Sequence, residues 1–123
     1  MERARVLFVD DNPSFLQTMR WVAQDRYEVT TLAAGDDALN LIRAGRRFDA
    51  IVLDLWMPGL SGQALFEEIE RCAGAQADRV IFTTGGGLPP RLRAFANRKR
   101  TLTKPFSPEE LFDALVAVME TAA

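Results

Sequence analysis

The chain has 123 residues, 48% of them hydrophobic, with a formal net charge of −2 and an isoelectric point near 5.2. This length and hydrophobic content predict one domain, residues 1–123, and the acidic balance argues against a nucleic-acid-binding module or a membrane-surface protein. The single cysteine excludes an intramolecular disulfide and a multi-cysteine zinc site, and the lack of histidine excludes histidine-dependent catalysis and a histidine-ligated metal within the chain.

The first apolar run, Val6–Val9, is too short for a signal peptide and leads directly into acidic residues. No stretch of the sequence approaches the length of a membrane span, so no membrane insertion is expected. We therefore expect a soluble domain in the cytoplasm.

Strand-like and helix-like segments alternate five times along the chain. The predicted strands are Val6–Val9, Tyr27–Leu32, Ile51–Leu53, Val80–Thr83 and Thr101–Thr103. The other segments carry apolar residues at helical spacing. The inner faces predicted for these helices are Phe15, Met19, Val22 and Ala23; Ala38, Leu41 and Ile42; Leu65, Phe66, Ile69 and Cys72; and Leu111, Leu115 and Val118. This alternation predicts an α/β fold, in which helices cover both faces of a parallel sheet and the crossovers are right-handed.

Capping residues mark three of the predicted helix starts. Asn12 is followed by a proline, Ser61 precedes an apolar-periodic segment, and Ser107–Glu110 matches a capping box. The stretch Gly85–Arg100 is the least regular part of the chain, because three glycines and two prolines delay the next helix to about Pro90–Asn97.

Acidic residues follow two of the predicted strands. Asp54 ends the apolar run Ala50–Leu53, which is typical of a strand buried on both faces, and Asp10 and Asp11 follow the first strand. A carboxylate at a buried strand end is costly to desolvate unless it has a partner. Because the carboxyl ends of parallel strands lie at one edge of the sheet, the three acids are expected to converge there. Hard oxygen ligands of this kind suit Mg2+.

Four short motifs follow four of the predicted strands. They are Asp10-Asp11, Asp54 with Met57-Pro58-Gly59, Thr84-Gly85 and Lys104-Pro105. Each motif is weak alone, but all four occur in order and each stands at a strand end. In this pattern the chain resembles, over essentially its whole length, the receiver domain of two-component response regulators.

The resemblance implies a CheY-like (flavodoxin-like) three-layer sandwich with a five-stranded parallel sheet in the order 2-1-3-4-5. It also implies that the domain takes a phosphoryl group from a phosphohistidine on a histidine kinase or a histidine phosphotransfer protein, and that phosphorylation alters contacts with a downstream effector. Such a domain catalyses only its own phosphorylation and dephosphorylation, and is not an enzyme for an external substrate.

The resemblance also assigns roles to individual residues. Asp54 would be the phosphoacceptor, Lys104 would pair with a phosphoryl oxygen, and Thr84 would hydrogen-bond another oxygen and move inward as it does so. Asp11, Asp54 and the backbone carbonyl of Trp56 would hold Mg2+, with Asp10 binding through water.

Three features depart from the family pattern. Thr101 stands three residues before Lys104, where the family commonly has tyrosine or phenylalanine, and Trp56 is unusually large for a position beside the phosphoryl group. The run Gly85–Gly87 precedes a short helix. The glycines and the missing aromatic favour the type of receiver found in hybrid histidine kinases over a stand-alone regulator.

Alternatives stay open at this point. The chain could be an aspartyl-nucleophile phosphatase of the haloacid-dehalogenase type, although that motif requires a second aspartate where Trp56 stands, or a receiver-fold interaction domain that works without phosphorylation. Thr83 competes with Thr84 for the hydroxyl role, and the small Gly85 favours Thr84. A basic cluster near the irregular stretch is interpreted as a solvated face rather than a nucleic-acid site; its members are Arg91, Arg93, Arg98, Lys99 and Arg100.

Overall fold

The computed structural model describes residues 2–122, which form five strands and six helices. The strands are β1 (Arg5–Val9), β2 (Glu28–Leu32), β3 (Ala50–Asp54), β4 (Val80–Thr84) and β5 (Thr101–Thr103). The helices are α1 (Pro13–Ala23), α2 (Gly35–Arg43), α3 (Gly62–Cys72), α4 (Gly74–Ala77), α5 (Pro90–Asn97) and α6 (Pro108–Ala122). All neighbouring strands are parallel and the sheet order is β2-β1-β3-β4-β5, which confirms the predicted fold class.

Alternate residues of each strand enter two separate cores, one on each face of the sheet. Leu53 and Phe82 pack with α2, α3 and α5, whereas Val52 and Ile81 pack with α1 and α6. The central strands β3 and β4 are buried along their whole length, and the edge strands β2 and β5 are mostly half-buried. The continuous apolar runs of the sequence thus belong to the middle of the sheet, where both faces are covered.

The predicted caps form as expected. Asn12 Oδ1 accepts hydrogen bonds from the backbone N–H groups of Ser14 and Phe15, and Ser61 Oγ accepts one from Ala64. At α6, Ser107 Oγ accepts from the Glu110 N–H at 3.1 Å and Glu110 Oε1 accepts from the Ser107 N–H at 3.2 Å, which completes the capping box. Two of these caps, at α1 and α3, place helix starts beside the strand ends that carry Asp10 and Asp54.

Several local predictions were wrong. Cys72 is exposed, because it is the last residue of α3 and the core at this turn is covered by Ala73 and by Ala77 of the unpredicted helix α4. In α2, the prediction missed Leu39, which is buried, whereas Leu41 is half-buried and packs against the same core.

The second strand begins one residue later than predicted. The N–H of Tyr27 bonds to the Ala23 carbonyl in the turn after α1, and is therefore not available to the strand ladder.

Within residues 2–122, no helix has both the length and the apolar character needed to cross a bilayer.

Gly62 sets the closest approach of a helix to the sheet. It is the first residue of α3 and is buried, and its N–H donates to the Leu55 carbonyl at 3.3 Å. A Cβ added at Gly62 would lie 2.8 Å from the Leu55 Cα and closer still to the backbone carbonyl oxygen of Asp54. Both contacts are with backbone, so they cannot be relieved by a side-chain rotation.

We expect Gly62→Ala to lower the free energy of unfolding by about 1–3 kcal/mol, as overpacking of a tight interior does. Urea unfolding followed by circular dichroism measures this difference. The matched control is Gly74→Ala at the start of α4, where an added Cβ meets nothing within 4 Å in the described part of the chain. Equal stability of the two variants would contradict the close approach.

Candidate functional site

Three carboxylates meet at the carboxyl edge of the sheet. Asp10 follows β1 and is 1% exposed, Asp54 ends β3 and is 6% exposed, and Asp11 is exposed beside them. One carboxylate oxygen of each residue lies within 4.8 Å of the others. The parallel sheet brings the acids together because β1 and β3 are hydrogen-bonded neighbours. This arrangement concentrates negative charge in a largely buried place.

Lys104, which follows β5, supplies a positive charge to this cluster. Its Nζ lies 2.7 Å from Asp10 Oδ2 and 3.9 Å from Asp54 Oδ2, so it forms a hydrogen-bonded ion pair with Asp10 and only a longer contact with Asp54. The ammonium group also lies 4.2 Å from the centre of the Phe15 ring, a distance at which a cation is attracted to an aromatic face. Asp10 is further fixed by the Asn12 N–H, which donates to its Oδ1 at 2.9 Å.

The carboxyl group of Asp54 is poorly compensated. Its pKa is raised from 3.8 to about 6, chiefly by burial and also by the charges of Asp10 and Asp11. The Trp56 N–H, which donates to Asp54 Oδ1 at 3.2 Å, and the charge of Lys104 act in the opposite direction without balancing it. An ionised Asp54 would therefore be stabilised by an additional cation.

Thr84 lies at the mouth of the same site. Its Oγ1 accepts a hydrogen bond from the Gly86 N–H at 3.1 Å, and Thr84, Asp54 and Lys104 line a common cavity of about 370 Å³ together with Trp56. Thr83 is not among the residues that line this cavity, and its side chain is buried. The structure thus brings together all of the site residues that the sequence singled out.

The residues that depart from the family pattern also have defined positions. Trp56 is 62% exposed. Thr101 Oγ1 donates to the Ala96 carbonyl at 3.0 Å, and Thr101 lines a second cavity of about 380 Å³ that shares Thr84 as part of its wall. Thr101 therefore bonds to the end of α5, at a position where the family commonly has an aromatic ring.

Sequence reasoning missed the part that Phe15 plays at this site. Phe15 is half-buried and packs against the core, and its ring also lies against Lys104 and at 6.0 Å, edge to face, from the ring of Phe106. The signal that could have identified it is its place in the first turn of α1, since that turn begins at the same sheet edge as Asp10.

The fold and the arrangement of acids define a class of protein, and the comparisons agree with it. The chain belongs to the response regulator receiver domain family, whose model matches residues 6–116. It is 31% identical over 121 residues to the transcriptional regulatory protein TcrA of Mycobacterium tuberculosis, covering 93% of this chain and 45% of that protein. It is 32% identical over 117 residues to the response regulator MprA of Mycobacterium sp. (strain KMS), covering 94% and 50%. The chain spans about half the length of these relatives.

Solved structures show the same likeness. The chemotaxis protein CheY4 of Vibrio cholerae has a TM-score of 0.79 and 31% identity, covering 94% of this chain and 98% of that chain. The receiver domain of the sensor histidine kinase PA1611 of Pseudomonas aeruginosa has a TM-score of 0.82 and 27% identity, covering 96% and 98%. The latter structure has a magnesium ion coordinated in its active-site cleft.

We expect Asp54→Asn to stabilise the metal-free protein at pH 7.5 by up to about 3 kcal/mol, the free-energy equivalent of the pKa shift. Because the pKa is raised on folding, the destabilisation of the wild type is absent below pH 3.8, grows as the pH rises to 6 and is constant above it. Urea unfolding in the presence of EDTA at pH 7.5 and at pH 4 measures the difference, which should largely vanish at pH 4.

The control for this comparison is Asp25→Asn, which neutralises an exposed acid outside the cluster and should leave stability nearly unchanged. A wild type as stable as Asp54→Asn at pH 7.5 would show that the buried carboxylate is fully compensated.

Proposed function

We propose that this domain accepts a phosphoryl group on Asp54, in the presence of Mg2+, from a phosphohistidine on a histidine kinase or a histidine phosphotransfer protein. The observation that carries the proposal is an under-compensated carboxylate, Asp54, which lines an open cavity with Lys104 and Thr84 and lies within a cluster of acids. Its pKa of about 6 leaves it mostly ionised at pH 7.5, as a nucleophile must be.

The donor set fits Mg2+, because carboxylate oxygens are the hard ligands that this ion prefers. Asp11, Asp54 and the backbone carbonyl of Trp56 would hold the ion directly. Asp10 would act through a water molecule, which is consistent with both of its oxygens already accepting hydrogen bonds. When bound, Mg2+ supplies positive charge that neutralises the phosphoryl oxygens.

Each side chain of the site then has its own part in the transfer of the phosphoryl group. A carboxylate oxygen of Asp54 forms the new bond to phosphorus while the phosphorus–nitrogen bond of the donor breaks, and the imidazole of the donor keeps the electron pair. Lys104 turns from Asp10 to a phosphoryl oxygen, which its flexible stem allows. Thr84 donates its hydroxyl to another phosphoryl oxygen, and gives up the hydrogen bond it accepts from Gly86.

The output of the domain lies in the segment from Gly85 to Arg100, which would present an altered surface to a downstream effector. Gly86 and Gly87 have positive φ angles of 89° and 65°, and α5 is anchored mainly by the buried residues Phe95 and Ala96. A helix with so few buried contacts can shift at low cost in free energy. With Thr101 bonded to Ala96, the shift is carried by backbone and packing rather than by an aromatic side chain.

The domain acts on its own phosphoryl group and on no external substrate. The phosphatase alternative requires an acid at position 56, and the exposed indole of Trp56 supplies none. An interaction domain without phosphorylation would have no need for the clustered acids and the Lys104 ion pair.

Incubation with acetyl phosphate and Mg2+ should add one phosphoryl group to the wild type and none to Asp54→Asn, as measured by mass spectrometry. Asp25→Asn should be labelled like the wild type, and EDTA should abolish labelling in both. Equal labelling of the wild type and Asp54→Asn would refute the assignment.

Trp56→Asn should shorten the half-life of the phosphorylated protein severalfold at a fixed concentration of Mg2+. The exposed indole lines the cavity beside Asp54, where it obstructs the water that must approach in line with the phosphorus–oxygen bond. The control is Trp21→Asn, which removes the other exposed indole, on α1, and should decay like the wild type. Unchanged or slower decay in Trp56→Asn would rule out shielding.

A further inference from the structure

Thr83 carries the one buried side-chain polar atom without a hydrogen-bond partner among residues 2–122. The residue is 1% exposed, so its hydroxyl is shielded from bulk water. A buried hydroxyl that makes no hydrogen bond destabilises a fold, and a valine of nearly the same shape would avoid the problem. The hydroxyl is therefore expected to have a use in another state of the protein.

The register of the sheet places Thr83 next to the phosphoacceptor. Thr83 of β4 is paired with Asp54 of β3 on one side and with Leu102 of β5 on the other. Its side chain lies on the sheet face of Ile81, two residues earlier, which packs with α1 and α6. Asp54 follows Val52 by the same interval and lies on that face too.

The two consecutive threonines therefore stand on opposite faces of the sheet and are not alternatives for one role. Thr84 lies on the face of Phe82, which packs with α3 and α5, and its hydroxyl is bonded to Gly86. Thr83 lies on the face where Lys104 contacts Phe15 of α1.

The Asp54 carboxylate lacks a hydrogen-bond donor at one of its two oxygens. Its Oδ1 accepts the Trp56 N–H, but its Oδ2 lies 3.9 Å from Lys104 Nζ, beyond hydrogen-bond distance, because Lys104 is bonded to Asp10. The hydroxyl of Thr83, which has no acceptor, thus lies on the strand next to the Asp54 carboxylate, which has too few donors. Rotation about χ1 gives a threonine hydroxyl more than one staggered position, so a small local change can join the two.

We propose that Thr83 is a positioning residue, whose hydroxyl donates a hydrogen bond to the Asp54 side chain once that side chain carries a phosphoryl group or its mimic. The role rests on the proposed function, because it requires a loaded Asp54. In this state Lys104 is drawn to the phosphoryl oxygens, and Thr83 supplies the donor that keeps the Asp54 carboxyl group in place. The pair of threonines then holds the loaded site from both faces of the sheet.

The test is the affinity for beryllofluoride with Mg2+, an aspartyl-phosphate mimic, measured by tryptophan fluorescence. Thr83→Val should weaken binding on the order of tenfold, the equivalent of one hydrogen bond to a charged group. Thr83→Ser, which keeps the hydroxyl, should bind within about twofold of the wild type, a much smaller loss than one such bond. The control is Thr30→Val, which removes a hydroxyl from the half-buried edge strand β2 and should leave affinity unchanged.

A second measurement separates this role from simple packing. Without metal or beryllofluoride, Thr83→Val should melt at a higher temperature than the wild type, because the unpaired hydroxyl is gone. Unchanged beryllofluoride affinity in Thr83→Val, or an equal loss in Thr83→Val and Thr83→Ser, would overturn the role of Thr83 while leaving the proposed function intact. Failure of the wild type to bind beryllofluoride would overturn both.

Discussion

The ion pair between Lys104 and Asp10 is the interaction on which the rest of the site depends. It joins the end of β5 to the end of β1, across the two strands that lie between them, and its 2.7 Å hydrogen bond commits the cation at the centre of the site to a residue other than the proposed phosphoacceptor. Burial and the neighbouring charges of Asp10 and Asp11 raise the pKa of Asp54, and the Trp56 N–H and the distant ammonium group of Lys104 oppose this rise without cancelling it. The unmodified site is therefore short of positive charge at one defined carboxylate.

This shortage of positive charge near Asp54 lowers the stability of the fold but favours the binding of a cation. A buried charge without a full set of partners destabilises the fold, yet the same charge attracts a cation and an electrophilic phosphorus atom. The buried Thr83 hydroxyl likewise lowers the stability of the fold, by a smaller amount, because it has no hydrogen-bond partner. In the proposed loaded state both groups would gain partners, so we expect loading to raise the free energy of unfolding.

The sequence was sufficient for the fold and for the convergence of the candidate site residues, because each depends on a local pattern. An apolar run followed by an acid is readable at Asp10 and at Asp54, and parallel strands bring such ends to one edge. What could not be predicted depends on distances across the sheet. Three features require knowledge of side-chain positions on different strands and helices. They are the ion pair of Lys104 with Asp10 rather than Asp54, the unpaired hydroxyl of Thr83 and the contact of Phe15 with Lys104. The exposure of Cys72 was missed for a related reason, since helical periodicity does not reveal where a helix leaves the core.

The glycines near the site differ in the room around them, so the backbone on its two sides is packed unequally. At Gly62 the backbone of α3 rests against the backbone of Asp54 and Leu55, so this helix has no room to move closer to β3. Around Gly85, Gly86 and Gly87 an added Cβ would meet nothing within 4 Å in residues 2–122. Under the proposed function, a phosphoryl group on Asp54 would have tightly packed backbone toward α3 and open space toward the β4–α5 loop. We therefore expect any displacement that follows phosphorylation to occur in the β4–α5 loop, because α3 cannot move closer to the sheet.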